Sequence, residues 1–403
     1  MCTRLFHRIL VVVLDSVGVG ALPDASRFGD DGAHTLGHTA EAVGGLHLPH
    51  LGALGLGNIT PVMGVPARSH PCAAHGRMAH LSPGKDTTTG HWELMGVVLE
   101  KPFTLFPGGF PESVIQDFCA AAGVDAVLGN KPASGTAIIE ELGEEHRQTG
   151  HPIVYTSGDS VFQIAAHTGV VPLERLYEWC KKARNLMDAL HVGRVIARPF
   201  EGEAGSYRRT YDRHDYSMEP PMATALDLVK DTGLEVTGIG KIGDIFSGRG
   251  LTRSRPTRGN ADGVKVIKEV LDERGEGLLL ANLIDFDSQY GHRRDAEGYA
   301  RCLEAFDAEL PAILDRLRPG DLCILTADHG NDPTHSLSTD HTREYVPVLV
   351  FDPTQDSGPD LGTRITAADV GATVCAALGA GMPGSGTSLV ETKLIRKPEA
   401  GER

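Results

Sequence analysis

Short runs of apolar and β-branched residues recur along the chain at 9–14, 153–156, 192–197, 236–239, 278–284, 322–326 and 346–351. None alternates cleanly with polar residues, so each predicts a strand covered on both faces, as in a parallel sheet. Between several of them the apolar spacing becomes that of a helix: 135–148 behind a capping Ser134, 172–190, 261–274 and 296–317. Strands alternating with helices of this length predict an α/β fold with a mostly parallel central sheet flanked by helices.

The pattern changes character between 101 and 220. This stretch is rich in aromatic, arginine and histidine residues and is bracketed by Lys101-Pro102 and Pro220-Pro221, while the strand and helix alternation resumes on either side. The expectation is a core made of 1–100 and 221–403, interrupted by an inserted smaller α/β domain at 101–220. A chain of 403 residues exceeds the ~250–300 residues over which one hydrophobic core keeps growing. No repeat of solenoid period is present, and the tail after Leu394 is expected to fray.

Composition narrows the functional classes. With 41% hydrophobic and 23% charged residues the chain reads as globular, and its formal charge of −15 argues against a broad nucleic-acid or anionic-membrane surface. A single small phosphate could still sit in a local arginine pocket. No apolar stretch approaches the ~18 residues of a membrane span, and the first run is too short and wrongly flanked for a signal peptide. A cytoplasmic location is expected. The seven cysteines, odd in number and without a CxxC pair, are expected to be reduced.

Candidate chemistry gathers where the apolar runs end. Asp15 follows the first run; Asp285 and Asp287, then His292, follow 278–284; Asp328 and His329 follow 322–326; Asp340 and His341 precede 346–351. In open parallel sheets ligands bind just beyond the carboxyl ends of the strands. Asp287 and His292 are five apart and cannot share a helical face, and the adjacent Asp328 and His329 would point oppositely in a strand. Both pairs therefore need a turning loop, for which Gly291 and Gly330 stand ready.

Asp15, Asp287, His292, Asp328, His329 and His341 together offer three carboxylates and three imidazoles, enough for three ligands on each of two divalent cations. An oxygen and nitrogen donor set without thiolate suits Mn²⁺ or Zn²⁺ better than Ca²⁺, and manganese is favoured. Asp285, Asp340 and His335 lie beside these residues and read as their supports. Each acid or imidazole alone has a plainer explanation as a cap, a turn or a core histidine. Four such clusters at strand ends are not explained that way.

Thr87, Thr88 and Thr89 lie in the run from Gly84 to Glu93, just ahead of a short helical pattern. A threonine hydroxyl is a weak nucleophile, but a divalent cation favours its alkoxide, and helix N-terminal amides favour a phosphoryl anion. The loop thus has the parts for a covalent phosphothreonine, with ordinary helix capping as the alternative. It is not a nucleotide P-loop, because the G-x-x-x-x-G-K-[ST] spacing is absent. Within the inserted stretch Arg198, Arg208, Arg209 and Arg213 could clamp a phosphate, or form a solvated basic loop. Ser157 and Asp159 after 153–156, and Lys241 after 236–239, could meet sugar hydroxyls or an anion, or could be turn residues.

The chain resembles the phosphopentomutase family, within the alkaline phosphatase superfamily. The resemblance rests on Asp15-Ser16-Val17-Gly18, Gly84-Lys85-Asp86-Thr87, Gly129-Asn130-Lys131-Pro132-Ala133-Ser134-Gly135-Thr136, Arg213-His214-Asp215-Tyr216, Asp287, Gly291-His292-Arg293-Arg294-Asp295, Ala327-Asp328-His329-Gly330-Asn331-Asp332 and Asp340-His341-Thr342-Arg343-Glu344-Tyr345, and it spans nearly the whole length. It implies an alkaline-phosphatase-like core with an inserted cap. One cation would be held by Asp287, His292 and His341, the other by Asp15, Asp328 and His329, with Thr87 between them as the phosphorylated residue. The cap would hold the sugar through Ser157, Asp159, Arg198 and Arg213, with Lys241 contributing from the core.

The implied activity is an isomerase that interconverts ribose 1-phosphate and ribose 5-phosphate, and the 2-deoxyribose phosphates, through a phosphothreonine and a pentose bisphosphate. Such a step links nucleoside catabolism to the pentose phosphate pathway. The cap would exclude water from the phosphoenzyme, and a sugar bisphosphate activator would prime Thr87. A metal-dependent phosphatase, another phosphomutase of the superfamily, and a non-catalytic metal-binding protein are the alternatives. The oligomeric state is left open.

Overall fold

The computed structural model describes residues 4–157 and 160–390. The chain forms two compact units, Met1–Lys101 with Pro220–Arg403, and Pro102–Glu219.

The first unit is built on an eight-stranded sheet. Its order is Arg253–Arg255, Glu235–Ile239, Gly277–Leu283, Arg8–Leu14, Asp321–Thr326, Val346–Phe351, Ala74–Met78 and Asp360–Arg364. The three central strands Gly277–Leu283, Arg8–Leu14 and Asp321–Thr326 are buried along their whole length, which is why they read as unbroken apolar runs. They pair in parallel with Leu14 opposite Leu283 and Val13 opposite Thr326. All three therefore end at one edge of the sheet, and Asp15, Asp287 and Asp328 leave from that edge. The predicted helices at 261–274 and 296–317 are Asn260–Asp272 and Ala296–Leu314, and both pack into the core of this unit.

One expectation is corrected. The run at 346–351 is a strand, but it lies antiparallel to both of its neighbours, Asp321–Thr326 and Ala74–Met78. A parallel return needs a crossover element, usually a helix. The connection at 327–345 contains no helix and instead folds on itself through an antiparallel bridge between Gly330 and Thr342. The strands Ala74–Met78, Arg253–Arg255 and Asp360–Arg364 carry too many polar residues to stand out as apolar runs.

The second unit has its own sheet, ordered Leu128–Pro132, Ile153–Thr156, Val161–His167, Arg194–Glu201 and Arg208–Arg209, with His214–Ser217 also pairing to Arg194–Glu201. Side-chain alternation splits its two faces. Val154, Phe162, Ile164, Val195 and Ala197 pack with Phe118 and Trp179 from the helices Glu112–Ala122 and Leu173–Ala189. Ile153, Tyr155, Ala165 and Phe200 pack with Ile138 and Ile139 from the helix Gly135–Thr149, whose first turn is capped by Ser134 Oγ accepting from the Ala137 amide.

No helix among the described residues is long and apolar enough to cross a membrane. The six cysteines among them are all free.

Candidate metal centre

Three turns converge at the carboxyl edge of the first unit's sheet. Beyond Arg8–Leu14, Ser16 adopts a left-handed conformation (φ 71°) that turns the chain and brings its amide to Asp328 Oδ1 at 3.1 Å. Beyond Gly277–Leu283 a wide helical turn, Phe286–Gly291, carries Asp287 and leads into His292. Beyond Asp321–Thr326 the chain carries Asp328 and His329 before Gly330 pairs with Thr342 in both directions, at 3.1 and 2.8 Å, which brings His341 back alongside.

These turns bring the six candidate ligands together. Ligand atoms of Asp15, Asp328 and His329 lie within 4.8 Å of one another, and so do those of Asp287, His329 and His341. His329 thus borders both groups, and its ring stacks on that of His341 with centroids 4.0 Å apart. His292 joins from the rim: its Nε2 is 3.2 Å from Asp287 Oδ2 and 3.1 Å from His341 Nε2.

The donors that would orient such ligands are present. Asn282 Nδ2 donates to Asp15 Oδ2 at 2.8 Å and Asn331 Nδ2 to Asp287 Oδ1 at 2.7 Å. His329 Nδ1 donates to the Gly330 carbonyl (3.0 Å) and His292 Nδ1 to the Thr339 carbonyl (2.7 Å), so each ring turns Nε2 inward. Among the described residues no well-directed hydrogen-bond donor meets Asp15 Oδ1 or Asp328 Oδ2, both fully buried. His91 Nδ1 is 3.0 Å from Asp328 Oδ2, yet its proton is directed to the Thr87 carbonyl at 2.9 Å. Buried carboxylate oxygens without donors, facing an imidazole lone pair, are a site a divalent cation satisfies.

The electrostatics follow from this crowding. Burial, then the charges of Asp328 and Asp287, raise the Asp15 carboxyl well above its ordinary range. Burial would also raise Asp328, but His329 and His91 outweigh it and bring that carboxyl to about 2. Burial lowers His329 to about 4 against the pull of Asp328, so at neutral pH the ring is uncharged and its Nε2 pair is available. Burial would raise Asp287, but His341 and His292 hold it well below the usual carboxylate range.

Thr87 stands beside this cluster. It opens the helix Thr87–Leu94, so the three threonines form its first turn rather than precede it, and Asp86 caps the helix by accepting from the Thr89 amide at 3.0 Å. The Thr87 hydroxyl lies 3.1 Å from His329 Nε2. Gly90 permits the approach: a Cβ there would stand 2.2 Å from the Asp328 carbonyl oxygen. The loop before the helix is held by Arg343, whose guanidinium donates to the carbonyls of His80, Ser82 and Gly84.

The three acids and imidazoles read as supports divide. Asp340 Oδ1 accepts from the His341 amide (2.9 Å) and its other oxygen is 3.7 Å from Lys85 Nζ. The His335 ring lies 3.9 Å from Asp30 Oδ1, and Asp285 accepts from the Asn260 backbone amide, at the start of the helix Asn260–Asp272. Asn282, Asn331 and His91 were not anticipated as partners of the ligands.

In the second unit, Arg198 Nε donates to Gln163 Oε1 at 3.1 Å, and Arg213 forms a two-point pair with Asp215 at 2.6 Å each. Burial lowers the Arg198 pKa, and the neighbouring Arg213 and Arg209 charges lower it further. Ser157 is half-buried just beyond Ile153–Thr156, and Asp159 lies outside the described residues. Lys241 belongs to the first unit, exposed just beyond Glu235–Ile239 at the same sheet edge as Asp15.

A parallel α/β core with buried carboxylates and imidazoles converging at its strand ends defines a metalloenzyme, and the metalloenzyme superfamily model matches residues 7–382. The chain is 59% identical to the phosphopentomutase of Anaeromyxobacter dehalogenans over 91% of this chain and 94% of that one. It is 57% identical to the phosphopentomutase of Symbiobacterium thermophilum over 97% and 99% of the two chains. The corresponding figures for the phosphopentomutase of Carboxydothermus hydrogenoformans are 57%, 91% and 94%. The chain belongs to the phosphopentomutase family, and it is accordingly an isomerase of the phosphotransferase type that binds divalent metal.

Proposed function

We propose that the enzyme interconverts ribose 1-phosphate and ribose 5-phosphate, and their 2-deoxyribose counterparts, through phospho-Thr87 and a pentose bisphosphate. Its main support is the Thr87 hydroxyl held 3.1 Å from His329 Nε2, beside a cluster of five candidate ligands that His292 joins through Asp287 and His341. Asp15, Asp328 and His329 would hold one divalent cation, and Asp287, His292 and His341 the other. Two such cations stabilise the attacking and leaving oxygens of an in-line phosphoryl transfer. The oxygen and nitrogen donor set favours Mn²⁺, with Zn²⁺ the second choice.

In the forward cycle the bond between Thr87 Oγ1 and phosphorus breaks as the free hydroxyl of the pentose monophosphate takes the phosphoryl group. Thr87 Oγ1 then accepts the phosphoryl group from the other position of the bisphosphate, which restores the phosphoenzyme. Asp86 holds the first turn of the Thr87 helix and Arg343 holds the chain before it, so the acceptor oxygen returns to one place. We assign recognition of the pentose phosphate to Ser157, Asp159, Arg198 and Arg213 of the inserted unit, with Lys241 from the core. A sugar bisphosphate would prime Thr87, and the reaction would serve nucleoside catabolism in the cytoplasm.

Purified protein with Mn²⁺ and ribose 1-phosphate should yield ribose 5-phosphate without accumulating inorganic phosphate. Prompt release of phosphate with no ribose 5-phosphate would make the enzyme a phosphatase. Peptide mapping after substrate exposure should place a phosphoryl group on Thr87.

A further inference from the structure

Glu344 is 1% exposed, and among the described residues its carboxylate is met by amides and hydroxyls rather than by a lysine or arginine. A buried carboxylate without a cation needs donors on both oxygens. It has four, drawn from three separate parts of the chain. Oε2 accepts from the amides of Gly20 (3.0 Å) and Thr35 (2.9 Å), and Oε1 accepts from the hydroxyls of Thr35 and Thr342, each at 2.6 Å. Those hydroxyls have spent their protons on Glu344, so their lone pairs face elsewhere. Thr35 Oγ1 accepts from the Asn331 amide (3.0 Å) and Thr342 Oγ1 from the Asp332 amide (3.1 Å).

The backbone is shaped to admit this carboxylate. A Cβ at Gly18 would stand 2.3 Å from Glu344 Oε2, and a Cβ at Gly330 would stand 2.4 Å from Oε1. Gly18 lies three residues after Asp15 and Gly330 directly after His329. Asn331, fixed through Thr35, donates in turn to Asp287. One carboxylate thus touches the turn that follows Asp15, the turn that follows Asp328 and His329, and, through Asn331, the orientation of Asp287.

We propose that Glu344 is the positioning residue of the metal centre, locking the Asp15 turn, the His329 turn and Asn331 into one arrangement before any cation arrives. It is not among the proposed cation ligands; it acts through the two threonine hydroxyls and the two glycine turns. This rests on the reading of Asp15, Asp287, Asp328 and His329 as cation ligands. A glutamine is a poor replacement: with its oxygen toward the Gly20 and Thr35 amides, its nitrogen faces the two threonine hydroxyls, which must then turn their protons away and accept instead of donate.

The test uses the full chain, stripped of metal by chelation and titrated with MnCl₂ while free Mn²⁺ is followed by electron paramagnetic resonance. Glu344→Gln should weaken Mn²⁺ binding about 10- to 100-fold, the range seen when supports of metal ligands are removed. Its kcat should largely recover at saturating Mn²⁺, so that the defect lies in the metal requirement. A purely structural role would lower the melting temperature of the metal-free protein with Mn²⁺ affinity unchanged, and that result would overturn the inference. Should Glu344→Gln not fold, Thr35→Val against Thr35→Ser decides. Weakened binding in the valine variant with restoration in the serine variant supports the relay, and unchanged binding in both sinks it. Asp328→Asn calibrates the experiment. If it binds Mn²⁺ as wild type does, the metal reading fails and takes the inference with it. If it is weakened while Glu344→Gln is not, only the role of Glu344 fails.

Discussion

The Thr87 hydroxyl and His329 Nε2 stand 3.1 Å apart, and His329 spends its other ring nitrogen on the Gly330 carbonyl. The nitrogen facing Thr87 is therefore a lone pair in a ring that burial keeps uncharged at neutral pH. The Thr87 hydroxyl can donate its proton to that lone pair, and in the proposed function the lone pair would turn to a cation instead, leaving the hydroxyl free to take the phosphoryl group.

Thr87→Ala should abolish turnover and phosphorylation while leaving metal content near that of the wild type, because none of the six candidate ligands is altered. Elemental analysis of the purified variant, beside a coupled assay for ribose 5-phosphate, checks both halves. Thr87→Ser, which keeps an oxygen at the same place, should retain measurable activity. A variant that keeps full turnover as alanine would remove Thr87 from the chemistry.

Gly90→Ala tests whether the Thr87 helix must lie against Asp328. The new methyl carbon would meet the Asp328 carbonyl oxygen at 2.2 Å, and backbone cannot swing aside as a side chain can. The expected cost is about 1–3 kcal/mol of stability, typical of overpacking. Activity should fall further than stability accounts for, since the displaced helix carries Thr87. Denaturant unfolding and kcat measured on the same preparation separate the two effects.

Which residues gather at the site could be read from the chain because a strand buried on both faces is a conspicuous apolar run, and a charged residue ending it stands out. Asp15 and Asp328 were visible for that reason. Asn282 was not: it lies inside such a run, and its hydrogen-bond partner Asp15 is 267 residues away. His91 falls unremarked within the run from Gly84 to Glu93, because its contacts with the Thr87 carbonyl and Asp328 exist only once the helix is packed. Direction failed where composition carries no sign. Val346–Phe351 looks the same whether its neighbours run with it or against it, and the missing crossover helix at 327–345 was the clue. The polar strand Ala74–Met78 is a strand because two neighbours pair with it, not because of its residues.

Arg198→Ala addresses the inserted unit. Arg198 is half-buried, tethered by Gln163, and crowded by the positive charges of Arg213 and Arg209, an arrangement that an incoming phosphate would relieve. A hydrogen bond to a charged partner contributes roughly 1.5–3 kcal/mol, so KM for ribose 5-phosphate should rise about 10- to 100-fold. Mn²⁺ affinity should not change, because none of the candidate ligands belongs to that unit. Unchanged KM would direct the search for the phosphate clamp to Arg213, whose guanidinium meets Asp215 in two hydrogen bonds.

Chelation should destabilise one unit and spare the other. Asp15, Asp287 and Asp328 are buried together, and the charges of Asp328 and Asp287 act on Asp15, so the first unit without cations holds carboxylates that oppose one another. A ligand at a hundred times its Kd stabilises the folded state by about 2.7 kcal/mol per site. Removing the metal should therefore lower the melting temperature of the unit formed by Met1–Lys101 and Pro220–Arg403. The core of Pro102–Glu219, built around Phe162, Trp179 and Phe118, contains no candidate ligand and should melt as before. Hydrogen exchange resolved by peptide, with and without EDTA, reads the two units separately. Faster exchange at 8–14, 277–283 and 321–326 with no change at 161–167 is the expected pattern. Equal acceleration in both units would mean that the cations stabilise something other than the sheet edge where Asp15, Asp287 and Asp328 meet.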